Sequence, residues 1–340
     1  MSTTTPLALV LGGGNALGAY QAGAYEALHR RGLQPNWLIG TSSGAINAAL
    51  IAGNRPGHRL ERLRAYWTVP EPSVASDDIF PPLVRRSLRD AGVLGTTMVG
   101  RPLSFLPRPP LPWSMDPTGA SPSLYDTRPL AASLERFVDF DLLNDSDMRV
   151  SVNATDMLTG EEVIFTTGHD RISADHVRAS SAFPPLYPSI RLDGRLLGDG
   201  GLAANLPIGI ALAQPLAPAM LCLAVDVISP HALPPSSTAD ALQRRDDLLL
   251  ASQTRHAVAR WAEQYAKDDA PPVTLVHLIY ASQDDEAAGK ILDYSLAALA
   301  SRWARGLADA GNVLDRLVTG EIPLAERGLL IHRVLARSSG

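Results

Sequence analysis

The chain has 340 residues and a formal net charge of −5, with 46% hydrophobic and 19% charged residues, so it can bury a large core. That balance offers no basic stripe for nucleic acid and argues against purely electrostatic attachment to anionic membranes. One cysteine, Cys222, excludes a disulfide framework and a thiolate metal site, and reads as a small buried hydrophobe in a strand.

Residues 1–6 lack the basic segment of a signal peptide, and no run reaches transmembrane length, so the expected compartment is the cytoplasm. Residues 6–11 read as a short buried strand closed by the glycines of Gly12-Gly13-Gly14-Asn15-Ala16-Leu17-Gly18. A helix over 19–31 follows, with Gly32 as its stop and Ala19, Ala22, Gly23 and Ala27 on a face small enough to approach a sheet closely. Trp37–Ile39 is the second strand, then Gly40-Thr41-Ser42-Ser43-Gly44 opens a small-residue helix over 45–52. Strand, loop, helix, strand, turn, helix implies a parallel sheet with ligands at the carboxyl ends of its strands.

An amphipathic helix is expected over 56–68. From 70 to 123 prolines such as Pro102, Pro107 and Pro112 break regular structure, while Phe105, Leu111 and Trp113 lie between them. The stretch reads either as a lid over a site or as a surface arm packed on the core or a partner. Further on come a helix over 129–143, a hairpin of 148–154 with 162–166, and a small-residue helix over 174–182. A second hairpin spans 189–197 around Asp193-Gly194. Gly198-Asp199-Gly200-Gly201 comes next, followed by a helix over 208–213 and strands over 220–227 and 273–280. Long helices are expected over 239–266 and 295–316, and the charged tail to Gly340 reads as loosely held.

The G-x-S-x-G of residues 40–44, between strand and helix, is the setting of a nucleophile elbow, with Ser42 lifted above the sheet edge. The glycine loop at a helix start offers free amides and a positive dipole end to an anion. Together they are the parts of acyl transfer. A dinucleotide reading fails on glycine spacing and on the lack of an acidic residue after the second strand; a P-loop reading lacks G-K-[ST]. A Ser–Asp–His triad would have to use His231, since His256 and His277 fall inside a helix and a strand. Asn153 and Asp156, near a strand end, read either as residues that touch the site or as turn-shaping residues, the latter favoured. Arg244, Arg245, Asp246 and Asp247 read as a solvated helical face, with a partner or dimer role left open.

GGGNALGAYQAG, GTSSGAINAALIAG and the late GDGG, with ASSAFPPLYPSI before that turn and NLPI after it, resemble the patatin-like phospholipases and lipid acyl hydrolases. The resemblance covers roughly residues 6–230. Leu124-Tyr125-Asp126-Thr127 and Arg244–Ser252 are similar to a bacterial branch of that family. It implies a Ser–Asp dyad hydrolase without a catalytic histidine, metal or cofactor, acting on a lipid or acyl ester. Ser42 matches the nucleophile and Asp199 the general base. Gly13, Gly14 and Asn15 match the oxyanion hole, with Gly40, Thr41, Ser43 and Gly44 framing the elbow and Gly200 and Gly201 the base turn. Asn15 and Leu17 stand where the family commonly has glycine and a basic residue; asparagine tolerates the left-handed geometry such a loop needs.

The implied fold is α/β, a three-layer α/β/α patatin-like arrangement with a mainly parallel central sheet, a Pro-rich insertion and a C-terminal helical extension. Residues 6–229 would form the catalytic core with the arm or lid at 70–123, and 230–340 the extension on the same globule. Hydrolysis or acyl transfer to an alcohol would use the same residues. Contact with a lipid surface and homo-oligomerisation stay open.

Overall fold

The computed structural model describes residues 5–69, 82–108, 122–216, 218–267, 270–281, 283, 286 and 288–336, with the backbone alone at 82, 83 and 85. The first strand, β1 (Leu7–Leu11), is followed by α1 (Gly18–Arg30), β2 (Trp37–Gly40), α2 (Ser43–Ala52) and α3 (Arg59–Trp67). An 18-residue helix, α4 (Pro82–Val99), comes next, then the two-residue strands β3 (Leu106–Pro107) and β4 (Tyr125–Asp126). Helices α5 (Arg128–Phe137) and α6 (Phe140–Asp145) lead to the hairpin of β5 (Arg149–Asp156) and β6 (Glu162–Thr166). Then follow α7 (Ala174–Ser180), β7 (Ile190–Leu192), β8 (Arg195–Asp199), α8 (Gly201–Ala204), α9 (Ile208–Ala213) and β9 (Met220–Asp226). The chain closes with α10 (Thr238–Tyr265), β10 (Val273–Tyr280), α11 (Leu296–Val318) and β11 (Leu329–Ala336).

The main sheet runs β11-β10-β9-β1-β2-β5-β8-β7, with β6 also on β5. Pairings from β11 through β5 are parallel, whereas β6 and β8 run antiparallel to β5. Alternation along β1 creates the layers. Leu7, Leu9 and Leu11 enter the core shared with α1, α2 and α11, while Ala8 and Val10 enter the core under α9 and α10. Each fully buried leucine or valine contributes about 1.5–3 kcal/mol by leaving water.

Small residues let the first layer close. A Cβ on Gly23 of α1 would overlap the Trp303 carbonyl of α11, and one on Gly306 of α11 would overlap the Tyr20 carbonyl. Glu26, buried at this junction, accepts from Trp303 Nε1 at 2.5 Å and pairs with Arg64 and Arg30 at 2.6 Å each.

Two expectations need correction. The segment 70–123 contains α4, because residues 82–99 precede the dense prolines and carry no proline after the first position. Residues 70–81 and 109–121, including Trp113, lie outside the described residues. The tail, expected to be loose, forms β11, paired in parallel register with β10 over eight residues. Its hydrophobic run is anchored by sheet hydrogen bonds that no local pattern announces. Around Asp193-Gly194 both residues have positive φ, 50° and 76°, as the Asp-Gly hairpin reading expects. Among the described residues no helix is long and apolar enough to cross a membrane.

Candidate active site

Leu11 and Gly40 are register partners at the carboxyl ends of β1 and β2, so the two glycine turns leave the sheet side by side. The Thr41 amide donates to the Leu11 carbonyl at 3.0 Å, tying them together. Ser42 sits between β2 and α2 at φ 55°, ψ −120°, a strained geometry for a residue with a side chain. The sharp turn is possible because Gly40 and Gly44 touch: a Cβ on Gly40 would overlap Gly44, and one on Gly44 the Leu11 carbonyl.

Asp199 ends β8, opposite Ala154 of β5, and faces the same cavity as Ser42. Both are buried, 4% and 3% exposed, and the Ser42 hydroxyl is near enough to the Asp199 carboxyl to draw its pKa down. The Gly201 amide donates to Asp199 Oδ1 at 2.7 Å. Burial outweighs the pull of the Gly201 amide and the Ser42 hydroxyl and raises the Asp199 carboxyl to about 7. A carboxylate with that affinity for a proton can act as a base near neutral pH.

The glycine loop corrects one expectation. The Gly13 amide is not free: it donates to the Asn205 carbonyl at 3.0 Å, and Asn205 Nδ2 returns a bond to the Gly13 carbonyl at 3.2 Å. Among the described residues the Gly14 and Asn15 amides make no hydrogen bond, and both residues line the cavity. Asn15 adopts φ 48°. Leu17 is fully buried in the core, against Gly14.

Several partners escaped the sequence reading. Ser180 accepts the Ser42 amide on its hydroxyl at 3.0 Å and the Gly200 amide on its carbonyl at 3.1 Å, so one residue touches both turns. Of the two readings of Asn153, the structure bears out contact with the site: it is fully buried between the turns. Its Oδ1 lies 2.7 Å from Thr41 Oγ1 and its Nδ2 3.2 Å from the Ala204 carbonyl. Asp156 does shape its turn, accepting the Leu158 and Thr159 amides. The only hint for Ser180 and Asn205 was their place in ASSAFPPLYPSI and NLPI.

His231 is exposed in the loop after β9 and lines two other cavities, not the one at Ser42. His277 pairs with Asp226 at 3.1 Å inside the sheet. Cys222 is buried, which pushes its thiol up to about 12. Among the described residues no group of three or more His, Cys, Asp or Glu side chains is arranged to hold a metal ion.

The family model for patatin-like phospholipases matches residues 9–212, from β1 through α9. This chain belongs to the patatin-like phospholipase family. A second family model, described as patatin phospholipase, matches residues 238–319. An uncharacterized NTE family protein of Mycobacterium tuberculosis is 26% identical over 207 residues, covering 61% of this chain and 46% of its own length. Another from the same organism is 29% identical over 215 residues, covering 61% and 28%. The chain thus spans less than half the length of these curated relatives. Among solved structures, VipD from Legionella pneumophila aligns over 92% of this chain and 67% of its own, at 13% identity and TM-score 0.41.

In this patatin-like chain α10, inside the second matched region, walls the Ser42 cavity with Gln243, Asp246, Asp247 and Leu250. The Arg244–Asp247 run is therefore only partly a solvated face. Asp247 is 3% exposed and pairs with Lys290 at 2.7 Å. Arg244 donates to the Pro230 carbonyl at 2.7 Å, while Arg245 and Asp246 pair with each other near solvent.

Proposed function

We propose that the chain is a serine hydrolase that cleaves carboxylic esters of lipids through Ser42 and Asp199. The observation that carries the reading is that Ser42 and Asp199, both buried, line one cavity with the Gly14 and Asn15 loop, and that burial raises the carboxyl to about 7. In the proposed reaction Asp199 takes the proton as Ser42 Oγ attacks the ester carbonyl. The Gly14 and Asn15 amides, with the first-turn amide of Ser43, hold the tetrahedral oxygen. Collapse expels the alcohol, protonated from Asp199, and leaves an acyl-enzyme. Water, deprotonated by the same carboxylate, then releases the acid and restores Ser42.

Membership of the patatin-like phospholipase family supports a lipid ester as the substrate class. The proposed setting is the cytoplasm, in keeping with a single buried cysteine. The deciding experiment is hydrolysis of p-nitrophenyl esters of increasing chain length, beside intact phospholipid, by wild type, Ser42→Ala and Asp199→Asn. Both variants should remain folded and lose activity by at least roughly a thousandfold. Full activity in folded Ser42→Ala would sink the assignment.

A further inference from the structure

Among the described residues a cavity larger than the one at Ser42 lies beside the sheet. It measures about 350 Å³, against about 50 Å³ at Ser42, and lies between α10 and the carboxyl ends of β9, β10 and β11. Its floor follows from register. Asp226 pairs with Ile279, His277 with Arg333 and Ile279 with Leu335, so these five side chains project from one face of the sheet. Lower on that face, Val273 and Leu275 are packed under α10 and α9. The roof is one stripe of α10, Ala251, Thr254, Arg255 and Val258, at helical spacing.

Two residues that line this cavity carry buried polar atoms without partners. His277 gives Nε2 to Asp226 at 3.1 Å, which leaves Nδ1 unbonded, and Thr254 Oγ1 is unbonded as well. These residues are 5% and 3% exposed. A buried polar atom without a partner costs about 1–3 kcal/mol, so such atoms normally have a ligand or a water. Arg255 and Arg333 stand exposed at the rim, and among the described residues neither forms an ion pair. Asp226 is already engaged by His277 and by the Ile228 amide at 3.0 Å. The remaining charge is positive. Ile228, Val258, Ile279 and Leu335 give the lining its apolar part, and the exposed His231 stands at its edge. Water alone could satisfy Thr254 and His277, but the volume falls in the range of small-molecule sites, about 300–1,000 Å³.

We propose that this cavity is a second binding site, for a small organic anion with an apolar body. Arg255 and Arg333 supply charge, Thr254 and His277 supply hydrogen bonds, and the aliphatic residues hold the body. Ile228 lines both this cavity and the one at Ser42, and α10 walls both, so the two sites stand back to back. The proposal does not depend on the hydrolase reading.

Isoleucine methyl NMR separates the sites, because Ile279 lines only the new cavity and Ile291 only the one at Ser42. Octanoate, octyl phosphate and neutral octanol would be titrated into the full chain, into Arg255→Glu/Arg333→Glu and into Thr254→Val. Octanoate or octyl phosphate should move the Ile279 methyl saturably, whether or not Ile291 also responds; which of the two binds tighter there identifies the head group. Octanol, and either anion with the charge-reversed variant, should bind about tenfold more weakly or worse. Thr254→Val should weaken the anion by several-fold while the fold is unchanged. Octanol binding as tightly as the anions, a response confined to Ile291, no response at either methyl, or full affinity in the charge-reversed variant would each overturn the proposal.

Discussion

Thr41 and Asn153 lie 112 positions apart in sequence, and their side chains meet at 2.7 Å beneath the turn that carries Ser42. Asn153 also reaches the Ala204 and Gly200 carbonyls, at 3.2 and 3.4 Å, beyond the turn that carries Asp199. Gly200 has no side chain because Asn153 fills that space: a Cβ there would overlap it. One amide thereby sets the spacing between Ser42 and Asp199.

Replacing Asn153 by alanine should therefore act on geometry as well as stability. Unpaired buried groups left behind should cost about 1–3 kcal/mol in denaturant unfolding. Drift of the two turns should lower kcat roughly ten- to hundredfold with KM little changed, since substrate contacts lie elsewhere. A kcat equal to wild type at reduced stability would make Asn153 purely structural.

The raised Asp199 carboxyl has opposite consequences for activity and stability. In the proposed mechanism Asp199 must be ionised, so kcat/KM should rise with pH and level off above an apparent pKa of about 7. An unfolded aspartate titrates near about 3.9, so between there and about 7 the folded state holds the extra proton. Stability from this residue is thus present at low pH and is lost as pH rises through that window. Asp199→Asn carries no charge to bury. Its melting temperature should exceed wild type by a margin that grows from pH 5 to pH 8; a margin independent of pH would contradict the sign.

Asp247 and Lys290 form a pair whose side chains are 5% and 7% exposed, with Gln283 completing the ammonium's contacts at 2.7 Å. Removing one partner strands a buried charge, so Asp247→Ala should lose about 3–5 kcal/mol. Asp247→Leu combined with Lys290→Met should recover most of that, because no charge remains to desolvate. Urea midpoints for the wild type, single and double variants would test this; equal losses in single and double would rule the pair out as the cause.

What the sequence determined by itself was local. Glycine spacing, positive-φ positions and short apolar runs mark β1, β2, the turn at Ser42 and the Asp193-Gly194 hairpin, because each depends on a few neighbouring residues. Motif order also carried the family and the α/β class, since the chain's alternation of strand and helix leaves few topologies open. Only the tertiary structure decided which groups meet. The Gly13 amide goes to Asn205, the Ser42 amide to Ser180, and Asp247 turns inward to Lys290 through partners 43 to 192 residues away. Likewise β11 is a strand because β10 offers it an edge, and α4 is a helix because the prolines of its stretch fall at its first position and on either side of it. Hydrogen bonds and charges are satisfied across the sheet rather than along the chain, so no window of sequence records them.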